Sequence, residues 1–303
     1  MIAALIRAMR PHQWVKNLLV FASLIFAHKL SDSDMVVRSL MAFAIFCLLS
    51  SSIYLLNDVV DREADRAHPR KKSRPIASGA LPVPVALLVS FVFAGGAMAW
   101  SIQISSPPPE EHVPFYALPV AYLVLQIFYT FALKKMLIID CICVALGFLF
   151  RVHAGSLVLS VKSSDWLLLC TFFFALMLAF SKRRDEVLKV SDGSGATRAT
   201  MRRYTAGFLD QLISSLAAIS ILSYAMYTLA AETVKEHGSK NLIITVPLVV
   251  YGVYRYQYLV LQRGKGGDPS KLLFRDKPLI VSGIAYLLVV WLAVDWLPPL
   301  LRK

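Results

Sequence analysis

Residues 35–65 read MVVRSLMAFAIFCLLSSSIYLLNDVVDREAD, an apolar run that ends in a cluster of acidic side chains. The apolar part, Met35–Leu56, is long enough to cross the hydrocarbon core of a bilayer as an α-helix, which takes about 20 residues. Asn57, Asp58, Asp61 and Asp65 follow immediately. The stretch therefore predicts a transmembrane helix that carries oxygen-bearing side chains to the edge of the membrane.

The rest of the chain has the same character. Of its 303 residues, 57% are hydrophobic and only 17% are charged, against about 25% charged in a soluble protein. This composition argues against a soluble enzyme and a disordered chain, and four cysteines inside apolar runs argue against a disulfide scaffold. The net charge of +13 would suggest nucleic acid in a soluble protein. Because the basic residues lie between apolar spans, we expect membrane topology and anionic ligands instead, with no nucleic-acid partner.

Nine stretches are apolar enough to be transmembrane helices, so the expected fold is an all-α polytopic membrane protein. They are Trp14–Leu30, Met35–Leu56, Pro82–Ile104, Val113–Leu133, Met136–Ser160, Asp165–Phe180, Phe208–Ala231, Asn241–Gln262 and Pro278–Leu300.

The charges between the spans predict the orientation of the chain. Most Lys and Arg residues outside the spans fall on one side if the N-terminus is cytoplasmic and the C-terminus is outside, as the positive-inside rule favours. Three charge-rich segments, Asp58–Leu81, Ser181–Gly207 and Gln262–Lys277, then share the cytoplasmic side. We therefore expect a single integral membrane domain over residues 1–303, with its active site on the cytoplasmic face of the plasma (inner) membrane.

The acidic cluster has the spacing of one helix face. At 100° per residue, Asn57, Asp61 and Asp65 lie within about 80° of one another, and Asp58 lies close to them. Carboxylates crowded in this way repel unless a cation lies among them, and all-oxygen ligands favour Mg²⁺. We therefore predict that these four residues bind Mg²⁺ together with a diphosphate. The alternative is a solvated acidic helix end.

Cationic and phenolic side chains near this motif are candidate phosphate ligands. Tyr54 precedes it on the same side of the helix, and Lys72 and Arg74 follow in the proline-bounded loop His68–Pro75. Lys16 lies where an apolar span should already have begun, which makes it a stronger candidate than Arg7 or Arg10. For the loop cations the alternative is positive-inside topology, and for Tyr54 it is an interfacial aromatic.

Further candidates lie in later spans. Tyr129 and Lys134 lie at the end of the fourth span, and Arg151 shares a face of the fifth with Asp140, so both should face the bundle interior. A buried structural pair is the alternative for Asp140 and Arg151. Lys182, Arg183 and Arg184 follow the sixth span and could clamp a phosphate, with topology as the alternative.

Nine spans with Asn57-Asp58-x-x-Asp61-x-x-x-Asp65 after the second resemble the UbiA superfamily of intramembrane prenyltransferases. The resemblance covers essentially the whole chain. It implies a UbiA-like helical bundle with a polar cavity that faces the cytoplasm. It also implies that the motif holds Mg²⁺ against a substrate diphosphate, with Asp58 and Asp61 as the catalytic residues.

The chain departs from the superfamily pattern after the sixth span. Most members carry a second Asp-rich motif there, whereas this chain reads Lys182-Arg183-Arg184-Asp185-Glu186. This departure, with the Arg10–Asn17 and Tyr129–Asp140 stretches, resembles the branch that transfers 5-phosphoribose from phosphoribosyl diphosphate to a polyprenyl (decaprenyl-type) phosphate and releases diphosphate. The resemblance implies Mg²⁺ as cofactor, and phosphoribosyl diphosphate and a lipid phosphate as partners.

Two other functions remain open. A UbiA-type prenyltransferase acting on an aromatic acceptor would share the acidic motif but would leave Lys182–Arg184 with a topological role only. An anion transporter would suit Asp140 and Arg151, although an internal repeat of two halves is not evident.

Overall fold

The structure is a computed structural model that describes residues 1–26, 29–69, 71–105, 113–191, 204–237, 240–273 and 275–293. Within these ranges all regular secondary structure is helical. The chain forms two compact units, Met1–Ser163 and Ser164–Lys303. Each unit is described separately below.

The described residues of the first unit form seven α-helices and three 3₁₀ helices. The α-helices are α1 (Ile2–Met9), α2 (Ala22–Phe26), α3 (Ser33–Val60), α4 (Arg62–Ala67), α5 (Val83–Ile104), α6 (Ala117–Phe131) and α7 (Ile139–Val158). The 3₁₀ helices are Pro11–Phe21, Lys71–Ser73 and Leu133–Lys135.

Helix α3 is at the centre of the first unit and packs against α1, α5, α6, α7 and the 3₁₀ helix Pro11–Phe21. Its side chains Ile45, Phe46 and Leu49 are fully buried in the main hydrophobic cluster. A close backbone contact joins α7 to the 3₁₀ helix: a Cβ on Gly155 would lie 2.1 Å from the Val20 carbonyl oxygen. Only glycine therefore fits at this crossing.

The start of the chain differs from the predicted span Trp14–Leu30. Residues Pro11–Phe21 form a 3₁₀ helix, and the short α2 follows it. Ala27 and His28 lie outside the described residues. The segment is tied to its neighbours by polar contacts: Trp14 Nε1 donates to Ser51 Oγ at 3.0 Å, and buried Asn17 bonds to both α3 and α7. Burying polar groups requires such partners, which an apolar pattern does not reveal.

The second unit is built mainly from four helices. They are α8 (Asp165–Ser191), α9 (Ala206–Leu229), α11 (Val246–Leu261) and α13 (Lys277–Trp291). The short helices α10 (Ala231–His237) and α12 (Pro269–Leu273) and a 3₁₀ helix at Asn241–Thr245 lie between them. Helix α8 packs on α9, and α11 packs on both α9 and α13.

Helix α8 is longer than the sequence predicts. The predicted span ends at Phe180 and was expected to give way to the loop Ser181–Gly207, but the helix continues to Ser191. That expectation was wrong because residues 181–191 contain no proline or glycine. Pairs at helical spacing also support the extension, with Arg183 bonded to Glu186 and Lys189 to Asp185.

Six helical segments of the described chain are long and apolar enough to cross a membrane: Ser33–Val60, Val83–Ile104, Ile139–Val158, Asp165–Lys189, Ala206–Leu229 and Asn241–Leu261. They match six predicted spans, and the shorter apolar helices Ala117–Phe131 and Lys277–Trp291 match two more. Residues 106–112, between the third and fourth predicted spans, and the end of the ninth span at 294–300 lie outside the described residues. The count of nine spans, their orientation and the single domain stay predictions.

Candidate active site

The acidic motif keeps its helical register across the end of α3. Asp61 separates α3 from α4, yet its backbone N–H donates to the Asn57 carbonyl at 2.9 Å, and that of Asp65 donates to the Asp61 carbonyl at 2.8 Å. These are the bonds of a continuous α-helix. The predicted alignment of Asn57, Asp61 and Asp65 along one side of a helix is therefore confirmed.

Asp58 is the most deeply buried carboxylate of the motif, with 2% of its surface exposed. Its Oδ1 accepts hydrogen bonds from Arg10 Nη2 at 2.5 Å and from Arg74 Nη1 at 3.1 Å. Arg10 precedes the 3₁₀ helix in a left-handed conformation, with φ of 56°. Two cations, one before Asp58 in the sequence and one after it, thus compensate the buried negative charge. A buried carboxylate requires such partners.

Arg74 joins two carboxylates of the motif. The same Nη1 that contacts Asp58 also donates to Asp65 Oδ2 at 2.6 Å. Lys71 approaches Asp65 from the same loop, with its Nζ 4.0 Å from Oδ1. Asp58 and Asp65 are therefore close enough to share one cation.

Asp61 has a cation of its own from a distant part of the sequence. Lys134 Nζ donates to Asp61 Oδ1 at 2.6 Å. Lys134 lies in the 3₁₀ turn after α6 and is 6% exposed, whereas Asp61 is half-buried. Lys134, predicted as a phosphate ligand, is thus paired with a carboxylate of the acidic motif, and its role as a ligand stays a prediction.

These side chains form what we name the α3–α4 cluster, defined as Arg10, Asp58, Asp61, Asp65, Lys71, Arg74 and Lys134. It contains three carboxylates and four cations, which leaves one net positive charge. Such a site has oxygen ligands for a metal ion and cations for anionic oxygens. The cluster can therefore bind an anionic ligand whose negative charge exceeds its own single positive charge.

Arg10 is the functional candidate that sequence reasoning ranked too low. Lys16 was preferred because it lies within an apparent span, but Arg10 donates to Asp58, and its guanidinium lies 4.8 Å from the centre of the Tyr54 ring. The signal was present in Pro11, which fixes a helix start and places Arg10 at a bend. Lys16 is half-buried in the 3₁₀ helix.

Arg151 is buried in α7 and has polar partners on three sides. Its Nε donates to Asn17 Oδ1 at 2.6 Å, Nη1 to the Gly147 carbonyl at 2.5 Å and Nη2 to Tyr122 Oη at 3.0 Å. The Tyr122 ring also lies 4.8 Å from its guanidinium carbon. Arg151 and Asp140 are both buried, as predicted, with 6% and 0% exposure.

The remaining candidates of the first unit differ in how far they are exposed to solvent. Asn57 and Tyr54 are half-buried near the end of α3, Tyr129 is half-buried in α6, and Lys72 is exposed in the 3₁₀ turn after α4. Arg70, in the same predicted loop, lies outside the described residues. The structure thus brings Arg74 and Lys134 to the carboxylates and places Lys72 toward solvent.

The basic residues of the second unit lie in the extended part of α8 and point in different directions. Lys182 is exposed. Arg183 is buried and donates to Glu186 Oε2 at 2.6 Å. Arg184 is buried as well. It bonds to Asp210 of α9, and its Nη1 donates to the Val260 carbonyl at 3.1 Å. Two of the three predicted clamp residues therefore also have partners within their own unit.

A divalent metal ion fits the donor chemistry of the α3–α4 cluster. Asp58 and Asp65 share one cationic nitrogen, so both carboxylates can face the same positive charge. Within the described ranges, no group of three or more His, Cys, Asp or Glu side chains is already close enough to hold a metal. Of the three carboxylates in the cluster, Asp58 and Asp65 face one shared cation, and two is within the number that Mg²⁺ usually takes when a substrate phosphate completes its shell.

The fold and the cluster together define a multi-pass membrane protein with a charged site at the end of a spanning helix. A sequence profile of the UbiA prenyltransferase family matches residues 17–277. The chain belongs to this family and is a membrane transferase.

Curated relatives match nearly the whole chain. The decaprenyl-phosphate phosphoribosyltransferase of Corynebacterium glutamicum is 33% identical over 297 residues, which cover 97% of this chain and 87% of that protein. The protein of the same name from Mycobacterium tuberculosis is 31% identical, covering 97% and 95%. A solved UbiA homologue from Archaeoglobus fulgidus, bound to DMAPP and Mg²⁺, has a TM-score of 0.70 at 18% identity, covering 97% and 99%. That likeness confirms the fold.

Proposed function

We propose that this protein transfers 5-phosphoribose from phosphoribosyl diphosphate to a polyprenyl phosphate of the decaprenyl type, in a Mg²⁺-dependent reaction that releases diphosphate. The α3–α4 cluster carries the proposal, because it combines three carboxylates with four cations at the end of a spanning helix. Both substrates are phosphate esters, and one is a lipid. A charged site on a membrane helix suits that pair.

The relatives support the choice of substrates. Proteins named decaprenyl-phosphate phosphoribosyltransferase match 97% of this chain at about 30% identity. The acidic motif alone is shared with enzymes that use prenyl diphosphates, so the names of these relatives favour phosphoribosyl diphosphate as the donor.

Asn57, Asp58, Asp61 and Asp65 would hold the metal ion, with Asp58 and Asp61 as the catalytic pair. Mg²⁺ would supply Lewis-acid neutralisation of the leaving diphosphate. The arginine that now bridges Asp58 and Asp65 would then be available to contact phosphate oxygens, a geometry for which guanidinium is suited.

The protein's own side chains bind and orient the two substrates. In the reaction, the bond between C1 of the ribose and the diphosphate oxygen breaks, and C1 forms a bond to an oxygen of the lipid phosphate. The electron pair leaves with the diphosphate, where Arg10, Arg74 and Lys134 offset the growing negative charge. A lipid phosphate is already ionised near neutral pH, so the acceptor needs no strong general base.

The other predicted phosphate ligands belong to the same proposal. Lys16, Tyr54, Lys72, Tyr129 and Arg151 in the first unit, and Lys182, Arg183 and Arg184 in the second, supply further contacts to the three anionic groups of the substrates. The site would lie on the cytoplasmic side of the plasma membrane, as the distribution of Lys and Arg between the spans predicts.

The test is a choice between two substrate pairs. Purified protein in detergent is given labelled phosphoribosyl diphosphate with decaprenyl phosphate, and separately a prenyl diphosphate with an aromatic acid. We expect lipid-linked phosphoribose from the first pair and no product from the second. Product from the second pair alone would replace this function with aromatic prenylation.

A further inference from the structure

An open groove lies along one face of α11 in the second unit. Its volume is about 510 Å³, and its walls are Pro247, Val250, Tyr251, Tyr254, Arg255 and Tyr258. These positions recur every three or four residues, so they form one stripe of the helix. Tyr251, Tyr254 and Tyr258 are 48%, 50% and 40% exposed, which is high for large aromatic residues.

One end of the groove is basic. The Arg255 guanidinium lies 5.6 Å from the centre of the Tyr258 ring, and that of Arg263 lies 5.7 Å from the same centre. Arg263 Nε also donates to Tyr258 Oη at 3.0 Å. Two guanidinium groups therefore flank one exposed tyrosine.

A single carboxylate partly offsets this charge. Arg255 donates to both oxygens of Asp276, at 3.2 and 3.0 Å. The Arg255 guanidinium lowers the pKa of the Asp276 carboxyl, so the pair stays ionised at neutral pH. Among Arg255, Arg263 and Asp276 the net charge is +1, carried by the exposed Arg263, and Lys265 adds a further cation that acts on Asp276.

The length and polarity of the groove fit one lipid molecule. From Pro247 to Tyr258 the helix rises about 16 Å, close to half of the roughly 30 Å hydrocarbon core of a bilayer. Tyrosine is enriched at the membrane interface, and basic pockets beside spanning helices bind anionic head groups. The helix belongs to the membrane-length segment Asn241–Leu261.

We infer that the α11 groove binds an anionic phospholipid of the surrounding bilayer, with its phosphate at Arg263 and Arg255 and an acyl chain along Tyr254 and Val250. The groove is lined by residues of the second unit, and the inference does not depend on the proposed reaction. It would select lipids by the charge of their head group.

The test is native mass spectrometry of the full chain in detergent, titrated with phosphatidylglycerol or phosphatidylcholine. We expect the wild type to bind phosphatidylglycerol more tightly. Arg263→Gln should weaken phosphatidylglycerol binding about fivefold and leave phosphatidylcholine unchanged, since a basic residue near anionic lipid contributes about 1 kcal/mol. Lys271→Gln is the matched control, because Lys271 is also exposed in this unit but pairs with Asp268 away from the groove.

A second variant tests the apolar part of the groove. Tyr254→Ala removes an exposed wall and should weaken both lipids by a similar factor, without changing the preference for phosphatidylglycerol. Equal losses in Arg263→Gln and Lys271→Gln would overturn the inference, as would equal affinities of the wild type for the two lipids. So would a dimer mass that Tyr254→Ala abolishes while lipid binding is unchanged.

Discussion

The end of α3 and the end of α8 both carry charge beyond a membrane-length helix, yet they arrange it differently. At α3 the helical hydrogen bonds run through Asp61 into α4, and the carboxylates pair with cations from the N-terminal segment, from the loop after α4 and from the turn after α6. At α8 the helix continues, and Arg183 pairs with Glu186 one turn away. Charges from distant parts of the chain therefore meet only where other segments fold back onto the helix. A straight helix instead spreads neighbouring charges around its axis.

The charged side chains of the α3–α4 cluster and those of α8 also make different kinds of contact. In the α3–α4 cluster, pairs join parts of the chain that are 48 and 73 residues apart, and the proposed function assigns its carboxylates to a metal ion. In α8, Arg184 bonds to Asp210 and to the Val260 carbonyl, which ties α8 to α9 and α11. Substitutions in the two regions should therefore have effects of different size.

The largest effect is expected for Asp61→Ala. Removing this carboxylate deletes a proposed metal ligand and leaves the buried Lys134 ammonium without its bonded oxygen. We expect kcat/KM to fall by roughly 100- to 1,000-fold, as for the loss of a transition-state charge contact. The assay is lipid-linked phosphoribose formation at varied donor concentration.

Glu63→Ala is the matched control for Asp61→Ala. Glu63 belongs to the same acidic stretch but is exposed and pairs with Arg66 one turn away. Its loss should change kcat/KM by less than about threefold, because exposed pairs contribute little. Asp61→Asn retains the size of the side chain, and thermal unfolding of all three variants shows whether they fold. Activity of a folded Asp61→Ala near that of the wild type would refute the catalytic assignment.

Arg74→Gln should have the next largest effect. Arg74 contacts both Asp58 and Asp65, and losing a charge-assisted hydrogen bond costs about 1.5–3 kcal/mol, or roughly 10- to 150-fold in affinity. We expect the apparent KM for phosphoribosyl diphosphate to rise within that range. Lys72→Gln, two residues earlier and exposed, should raise it less. A Lys72 effect equal to or greater than that of Arg74 would contradict the geometry of the cluster.

Arg183→Gln tests the proposed clamp in α8 and should have the smallest of these effects. Its guanidinium is already bonded to Glu186, so we expect an apparent KM about tenfold higher for one phosphorylated substrate, the low end of a charge-assisted bond. Lys189→Gln, which removes a neighbouring pair with Asp185, is the control. Unchanged kinetics in Arg183→Gln and in the corresponding variants of Lys182 and Arg184 would leave this stretch a topological role and favour an aromatic acceptor.

Local periodicity explains what the sequence could predict. The alignment of Asn57, Asp61 and Asp65 follows from 3.6 residues per turn, and six membrane-length helices follow from apolar runs. The extension of α8 was also predictable, from helix-forming residues and pairs at helical spacing after Phe180.

Tertiary packing decides what the sequence could not predict. The contacts of Arg10 with Asp58 and of Lys134 with Asp61 depend on how distant segments meet, and charge in a loop is equally compatible with topology. The 3₁₀ form of Pro11–Phe21 depends on polar bonds from Trp14 and Asn17 to neighbouring helices. No spacing rule within one segment contains that information.

The central claim is that the α3–α4 cluster holds the donor diphosphate through a divalent metal ion. The most direct measurement is binding of labelled phosphoribosyl diphosphate to the purified protein after treatment with EDTA, followed by titration with Mg²⁺. We expect binding and turnover to be lost with EDTA and restored by Mg²⁺ in the wild type, and not restored in Asp61→Ala. Full donor binding and full activity in metal-free buffer would contradict the account.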